Sequence, residues 1–520
     1  GGSPSNAAYD LGGIDWQDSD GKFVRNGVDL YSGSTYTTGD IIGFYLDFDN
    51  DAIWASKNGT LENGASQAEV VAGTTTNAIA TGTLATDGAL VPHATCNGGT
   101  NVTVTINTGQ SAFNTALYTG YTGLSAKDVA ASNQPSIEDG SAYMQSTTYS
   151  GAAGANSINQ SGNSTFKPDM VWVKRRDGVG DHGIFDSVRT TSSGEFIRPS
   201  QANGEGTESS WNNFDNDGFS FSASDTSLES NTNGRTYVGW QWLAGEAPTA
   251  DNTAGAGATP TAGSVKIDGS NLGSALAGSL PAKRLSANTK AGFSIVKWVG
   301  NAGDGGAQTV AHGLGQKPNF IFIKNLDDSE NWVVYNDDVG FNALPINTSL
   351  RRITTGASVY WADGSPPFSS STFTVNTHNG VNGENDEMIA YCFTAIPGYS
   401  AIGKYVGNGS STNGPFVNTG FSPSWILARA YDDTSDAAEG PIHDSVRDPI
   451  NPMDNELSLN RTGAEDNNQS APQGDFISNG FKIGYGVGTT GGGMNIDGVN
   501  YIYLAFAENP FAGSTPATAR

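Results

Sequence analysis

The sequence predicts an all-β protein made of tandem antiparallel β-sandwich modules. Three observations carry this expectation. Apolar and β-branched runs of four to eight residues recur along the whole chain, separated by clusters of Asn, Gly, Asp and Ser. Long segments with helical periodicity are missing, and no heptad run is long enough for a coiled coil. A motif with a leading proline returns three times, at near-constant distance from an apolar closing strand.

The motif reads PDMVWVK from Pro168, PNFIFIK from Pro318 and PSWILAR from Pro423. Proline lacks an N–H and is tolerated where a strand begins. Phe166 and Phe421 lie two residues before their prolines. Downstream, IFDSVR ends at Arg189 and IHDSVR at Arg447, whereas the middle copy has only VVYNDD. DGFSF and NGFKI follow, with STFTV as the middle equivalent, and the Asp-Gly and Asn-Gly steps read as tight turns. The copies close on YVGWQW, MIAYCF and YIYLAF. Pro168 to Trp242, Pro318 to Phe393 and Pro423 to Phe506 are 74, 75 and 83 residues apart. The openings match as well, in YMQSTTYSG, FSIVKWVGN and YSAIGKYVGN. Each unit of about 105 residues suffices for a small sandwich. The units are placed at 141–246, 291–397 and 398–515. Phe219, Phe373 and Phe481 are expected in equivalent cores.

Two stretches read as linkers, 116–140 and the Ala/Gly/Ser/Thr-rich 247–290, with flexible or extended connection expected for both. The N-terminal 1–115 differs from the repeats. Its run IIGFYLDFD, a turn at Asp49-Asn50-Asp51 and AIWASKNG make a hairpin, and VTVTINTGQSAF from Val102 alternates as a further strand.

Composition narrows the function. The net charge of −26 repels phosphate, so nucleic-acid binding through a basic patch is excluded. Gly reaches 69 of 520 residues, nearly twice the usual ~7%, while charged residues are only 15%, as in β-rich extracellular architectures. With 10 Trp, 18 Tyr and 23 Phe the chain can fill real cores. Cys96 and Cys392 are the only cysteines, which rules out a disulfide framework and four-Cys zinc sites. Cys392, inside MIAYCFTA, reads as a small buried residue. No apolar run of 18 residues exists, so no membrane insertion by a helix is expected.

Few residues suggest chemistry. Gly178-Val-Gly180-Asp-His-Gly183 fits a dinucleotide pattern, but a strand, not a helix, is expected after it. His93, His182, His312, His378 and His443 have no zinc spacing. No nucleophile elbow and no P-loop occur, so a non-enzymatic protein with no cofactor is expected. Acidic clusters at Asp47-Asp49-Asp51, Asp215-Asp217 and Asp432-Asp433-Asp436 read as turn residues. Asp215 and Asp217 are the best candidates for a structural Ca²⁺. The repeated Asp-Ser-Val-Arg step is read as a turn locked by a charge-assisted bond, and Lys174-Arg175-Arg176 as a solvated strand end. Trp211, Trp332, Tyr360 and Trp361 lie near polar segments and are the candidates for stacking on sugars. Trp54, Trp172 and Trp242 lie in apolar strands and are assigned to cores.

Two resemblances add to this reading. Gly39-Asp40, the hairpin, Lys57-Asn58-Gly59 and Gly109-Gln-x-x-Phe113 occur in the order seen in the C-terminal half of a SPRY domain. The segment therefore resembles a partial concanavalin-like sandwich whose opening strands are missing. That would leave Phe44, Leu46, Ile53 and Trp54 without partners, so the native product is expected to continue upstream, or a neighbouring subunit to complete the sandwich. The closings YCFTAIPGYS and YIYLAFAENPF, the Val-Gly-Asn openings and PTAGSVKIDGSNLGSALAGSLPA are similar to tandem-repeat proteins of tailed, often marine, bacteriophages. This resemblance implies a virion location and a role as a tail fibre or appendage. It implies other virion proteins and host-surface polysaccharide as partners, and a homotrimer by analogy with fibres. A capsid decoration protein and a polysaccharide-degrading tailspike enzyme are the rival readings.

Overall fold

The computed structural model describes residues 14–16, 20–25, 28–47, 50–81, 118, 121, 136–189, 194–225, 228–354, 356–365, 367–410, 413–432, 439–467, 474–484 and 493–509. The chain divides into two compact units, Gly1–Gln134 and Pro135–Arg520. The fold is all-β, in antiparallel sheets, with short helices only among the described residues.

In the first unit the expected hairpin is present, Ile42–Asp47 pairing with Ala52–Lys57. The expectation that no strands precede it is corrected. Ile14–Trp16, Lys22–Arg25 and Val28–Ser32 form a three-stranded antiparallel sheet. Trp16 and Phe23 from that sheet pack with Ala55 of the hairpin and Ile79. Ile53 is buried, and Trp54 is fully buried with Tyr45 and Val70, so neither is an orphan. Val70 comes from a short helix, Gln67–Ala72, held by a capping box between Ser66 and Glu69. Tyr118, in the stretch read as a linker, stacks on Tyr45 at 4.8 Å. Phe44 alone keeps half its surface exposed, 49%. The strand expected from Val102 to Phe113, His93 and Cys96 lie outside the described residues.

The second unit contains three sandwiches with one strand order. In each large sheet an opening strand, a closing strand, a proline-led strand and a flanking strand lie side by side. These are Met144–Ser150, Thr236–Trp242, Met170–Arg175 and Gly183–Asp186 in the first sandwich. They are Phe293–Val299, Glu387–Phe393, Phe320–Asn325 and Val333–Asn336 in the second, and Ser400–Val406, Asn500–Phe506, Trp425–Ala430 and Pro441–Asp444 in the third. The register is shared as well, with Met170 opposite Trp242, Phe320 opposite Phe393 and Trp425 opposite Phe506.

The prolines stand two residues ahead of their strands, not in them. The residue after each one joins the sheet: the N–H groups of Asp169, Asn319 and Ser424 donate to the carbonyls of Trp242, Phe393 and Phe506, at 2.9, 2.8 and 2.8 Å. At the other end the glycine of each opening is forced by contact. A Cβ on Gly151, Gly300 or Gly407 would lie 2.1 Å from the carbonyl oxygen of Thr232, Gly383 or Ile496. No side chain fits there.

Each large sheet is apolar on both faces. One face covers a smaller sheet carrying Phe219, Phe373 or Phe481, all fully buried. The other faces a core that the three sandwiches share. Trp240 and Trp242, Tyr391 and Phe393, and Leu504 and Phe506 all enter it. The closing strands therefore alternate between two cores, as Ile389, Tyr391 and Phe393 against Met388, Ala390 and Cys392 illustrate. A cavity of about 20 Å³ remains in the shared core, bordered by Trp242, Phe393 and Trp425.

The 247–290 stretch is not a flexible linker. Val265–Ile267, Ser270–Asn271 and Ala282–Asn288 extend one edge of the second large sheet, and with Gly340–Pro345 at the other edge it has eight strands. Arg284 Nη1 donates to the Val188 carbonyl at 3.2 Å, which ties this stretch to the first sandwich.

Truncation of Phe481 to Ala is expected to cost about 3–5 kcal/mol through lost burial and a residual cavity. Phe416, 46% exposed on the neighbouring strand, should tolerate the same change with little loss. Chemical denaturation of both variants measures the contrast.

Candidate functional site

The sites that concentrate polar chemistry lie at the seams between sandwiches. In the first, Asp186 Oδ2 accepts from Arg189 Nε at 2.5 Å and from the Tyr391 hydroxyl of the second sandwich at 2.7 Å. Asp186 Oδ1 accepts the backbone N–H groups of Val188 and Arg189. Arg189 continues to Glu205 and to the carbonyl of Ile184. Asp186 and Arg189 side chains are fully buried. The Asp-Ser-Val-Arg step is thus a locked turn, as expected, with an aromatic donor from the next sandwich as a third member.

The third sandwich repeats this arrangement. Asp444 Oδ2 accepts from Arg447 Nε at 2.6 Å and from the Trp240 indole of the first sandwich at 2.9 Å. The Arg447 guanidinium stands 5.6 Å from the Trp240 ring centroid. Burial alone would lower the pKa of either arginine, but the adjacent aspartate more than offsets it, so both stay charged. In the middle copy Asn336 occupies the aspartate position by register, Val339 the arginine position, and Leu504 of the third sandwich the position of the aromatic donor. Asn336 Nδ2 is buried there without a hydrogen-bond partner.

Backbone bonds close the cycle. The N–H of Glu205 donates to Leu326, that of Arg352 to Tyr431 and that of Glu465 to Arg176, at 2.7, 2.8 and 2.7 Å. Each bond joins one sandwich to the next at the same relative position.

Lys174-Arg175-Arg176 is not a solvated strand end. Lys174 is fully buried and its ammonium donates to the carbonyls of Arg175 and Gly463 at 2.8 and 2.7 Å. Burial lowers its pKa to about 8. Arg176 pairs with Glu465 across the same seam at 2.7 Å. His182 is buried beside them. Its Nδ1 accepts from the Trp172 indole at 2.9 Å, which leaves Nε2–H to donate to the Ser458 carbonyl at 3.1 Å. That pattern requires a neutral ring, and burial holds its pKa well below the usual value.

The sugar-stacking candidates are corrected. Trp211 stacks on Phe185 at 4.0 Å inside the first sandwich. Trp332 lies in the shared core, its indole donating to the Arg198 carbonyl at 2.8 Å. Tyr360 and Trp361 are 8% and 0% exposed in the second sandwich. Sugar stacking needs an open ring face, and none of the four offers one. Asp215 and Asp217 flank the tight turn between Trp211–Asp215 and Gly218–Phe221. Among the described residues no three His, Cys, Asp or Glu side chains converge as a metal site. Residues 178–183 form a loop that runs into the strand Gly183–Asp186, without the helix that a dinucleotide site needs. Cys392 is buried, and burial raises its thiol pKa.

Sequence reasoning missed Tyr391, Trp240 and His182. The duplicated Asp-Ser-Val-Arg was the available signal for an acceptor. Its donors lay in apolar strands where an aromatic letter signals packing alone.

Arg447→Met should cost about 3–5 kcal/mol, because it strands Asp444 as a buried charge. Replacing both members by apolar residues should recover most of that loss, and a double-mutant cycle measures it. Acid is expected to weaken the fold through its buried histidines. Burial lowers His312 to about 4, so the unfolded chain binds the proton first. Stability present above ~6.5 is lost as pH falls toward 4, by at most about 3 kcal/mol for this residue. Thermal melts of the protein and of His312→Gln across that range check the sign.

No curated protein and no solved structure matches the chain. The family model of a domain of unknown function, DUF7483, matches residues 139–271 and 266–510. The matched stretches take in all three sandwiches and well over half of the sequence, and the chain belongs to the DUF7483 family.

Proposed function

We propose that this protein is a non-enzymatic structural or adhesive component of a bacteriophage particle, a tail fibre or appendage that binds other virion proteins or host-surface polysaccharide. The observation that supports the reading is where its chemistry is spent. Asp186, Arg189, Asp444, Arg447, Lys174 and His182 are all used inside the molecule, holding one sandwich to the next. A module built this way is suited to rigidity, and recognition falls to its acidic outer surface. Three cyclically arranged sandwiches in one chain also supply what a fibre usually obtains from three chains. We therefore infer one chain per attachment site instead of a homotrimer.

Sedimentation should give a mass near the 53.9 kDa of one chain. Incubation with host capsule should give binding without release of reducing ends, and immunogold labelling of particles should mark the tail. Steady release of reducing sugar would turn the reading to the tailspike enzyme, and label over the head would turn it to a capsid decoration.

A further inference from the structure

Ser458 is a node on the seam between the third and first sandwiches. Its carbonyl accepts from His182 Nε2. Its hydroxyl oxygen lies 2.8 Å from Glu439 Oε2 and 2.9 Å from Glu456 Oε1. A hydroxyl has one hydrogen to give, so it cannot donate to both carboxylates. One of the two must return a proton to the serine oxygen. The surroundings choose which. Glu439 is ion-paired with Arg461, which favours its anion against the effect of burial. Glu456 sits directly opposite Asp466 in the paired strands Asn455–Ser458 and Asp466–Asn467, where two like charges repel. The neutral member is Glu456.

We propose that Glu456, Ser458, Glu439 and Arg461 form a single-proton relay that clamps this seam in acid and releases it as pH rises. In the closed state Glu456 donates to Ser458 Oγ, Ser458 donates to Glu439, and Arg461 neutralises the end of the chain. Loss of the Glu456 proton leaves two carboxylates, Glu439 and Glu456, at one hydroxyl, with Asp466 opposite Glu456 in the paired strands. The segment that follows, 459–465, is the part the first sandwich grips. Lys174 holds the Gly463 carbonyl, the Gly180 N–H donates to Thr462 at 2.9 Å, and Glu465 meets Arg176.

The other charged groups near the relay act in both senses. On the flanking strand His443, 3.9 Å from Asp448, opposes the rise at Glu456, whereas Glu439 and Asp466 add to it. From the first sandwich come neutral His182 and the cations Lys174 and Arg176, which engage backbone carbonyls and Glu465. Burial raises both Glu439 and Glu456 above the usual carboxylate range, and their mutual repulsion adds to it for Glu456. A carboxyl raised in the fold contributes fully below its unfolded pKa, and that contribution is lost as pH rises through the folded value.

Hydrogen exchange of the full chain tests the relay, with intrinsic rates corrected for pH. From pH 5 to 8, amides in 459–465 and 176–182 should lose protection about tenfold. Glu456→Gln supplies an N–H in place of the acid O–H and should flatten the profile to within about twofold. A flat wild-type profile, or the same loss in Glu456→Gln, overturns the proposal. Carboxyl carbon shifts of the wild-type protein provide a measurement independent of the variant's folding. The Glu456 midpoint should lie above the ~4.3 of free Glu. A midpoint at or below that value overturns it too.

Discussion

Burial of the closing strands on both faces is the constraint on which the second unit depends. An ordinary two-layer sandwich hides one face of each sheet and leaves the other to water. Here the outer face would carry Trp240, Trp242, Tyr391, Phe393, Leu504 and Phe506, far too apolar a surface to leave exposed. No single sandwich can cover it. Three of them covering one another can, and the polar locks then set how they turn. Hydrophobic burial drives the association without direction. Asp186 with Tyr391 and Asp444 with Trp240 supply the direction, because a buried carboxylate accepts from few angles and is costly to leave unpaired.

The same constraint explains why much of the fold was legible. Alternation gave the strands, and the proline and glycine punctuation gave their ends. Gly151, Gly300 and Gly407 recur in the matching openings because a carbonyl presses on each, and the phenylalanines after the turns recur because each fills its own sandwich. The run MIAYCF reads as an apolar closing strand, but nothing in it says that a second core lies on its other face.

What was not legible was contact between distant segments. Lys174 looked like a solvated strand end because strand ends usually are. Nothing local reports that the carbonyls of a loop almost 290 residues away await it. Trp211, Trp332, Tyr360 and Trp361 were candidates for open ring faces because their neighbours are polar, yet all four are buried. Residues 247–290 read as a linker by composition. Strands at a sheet edge tolerate Gly and Ser when a neighbouring backbone supplies the pairing.

The unequal seams have one further consequence. A homotrimer has a single gene-encoded interface used three times, so any substitution strikes all three positions at once. A chain that carries its three sandwiches in series escapes that rule. The pair Asn336 and Leu504 stands where the other seams hold aspartate against an aromatic donor, and it could diverge without disturbing them. Covalent continuity has turned a symmetry requirement into three separately evolvable joints. One joint can soften or specialise while the other two keep the assembly closed.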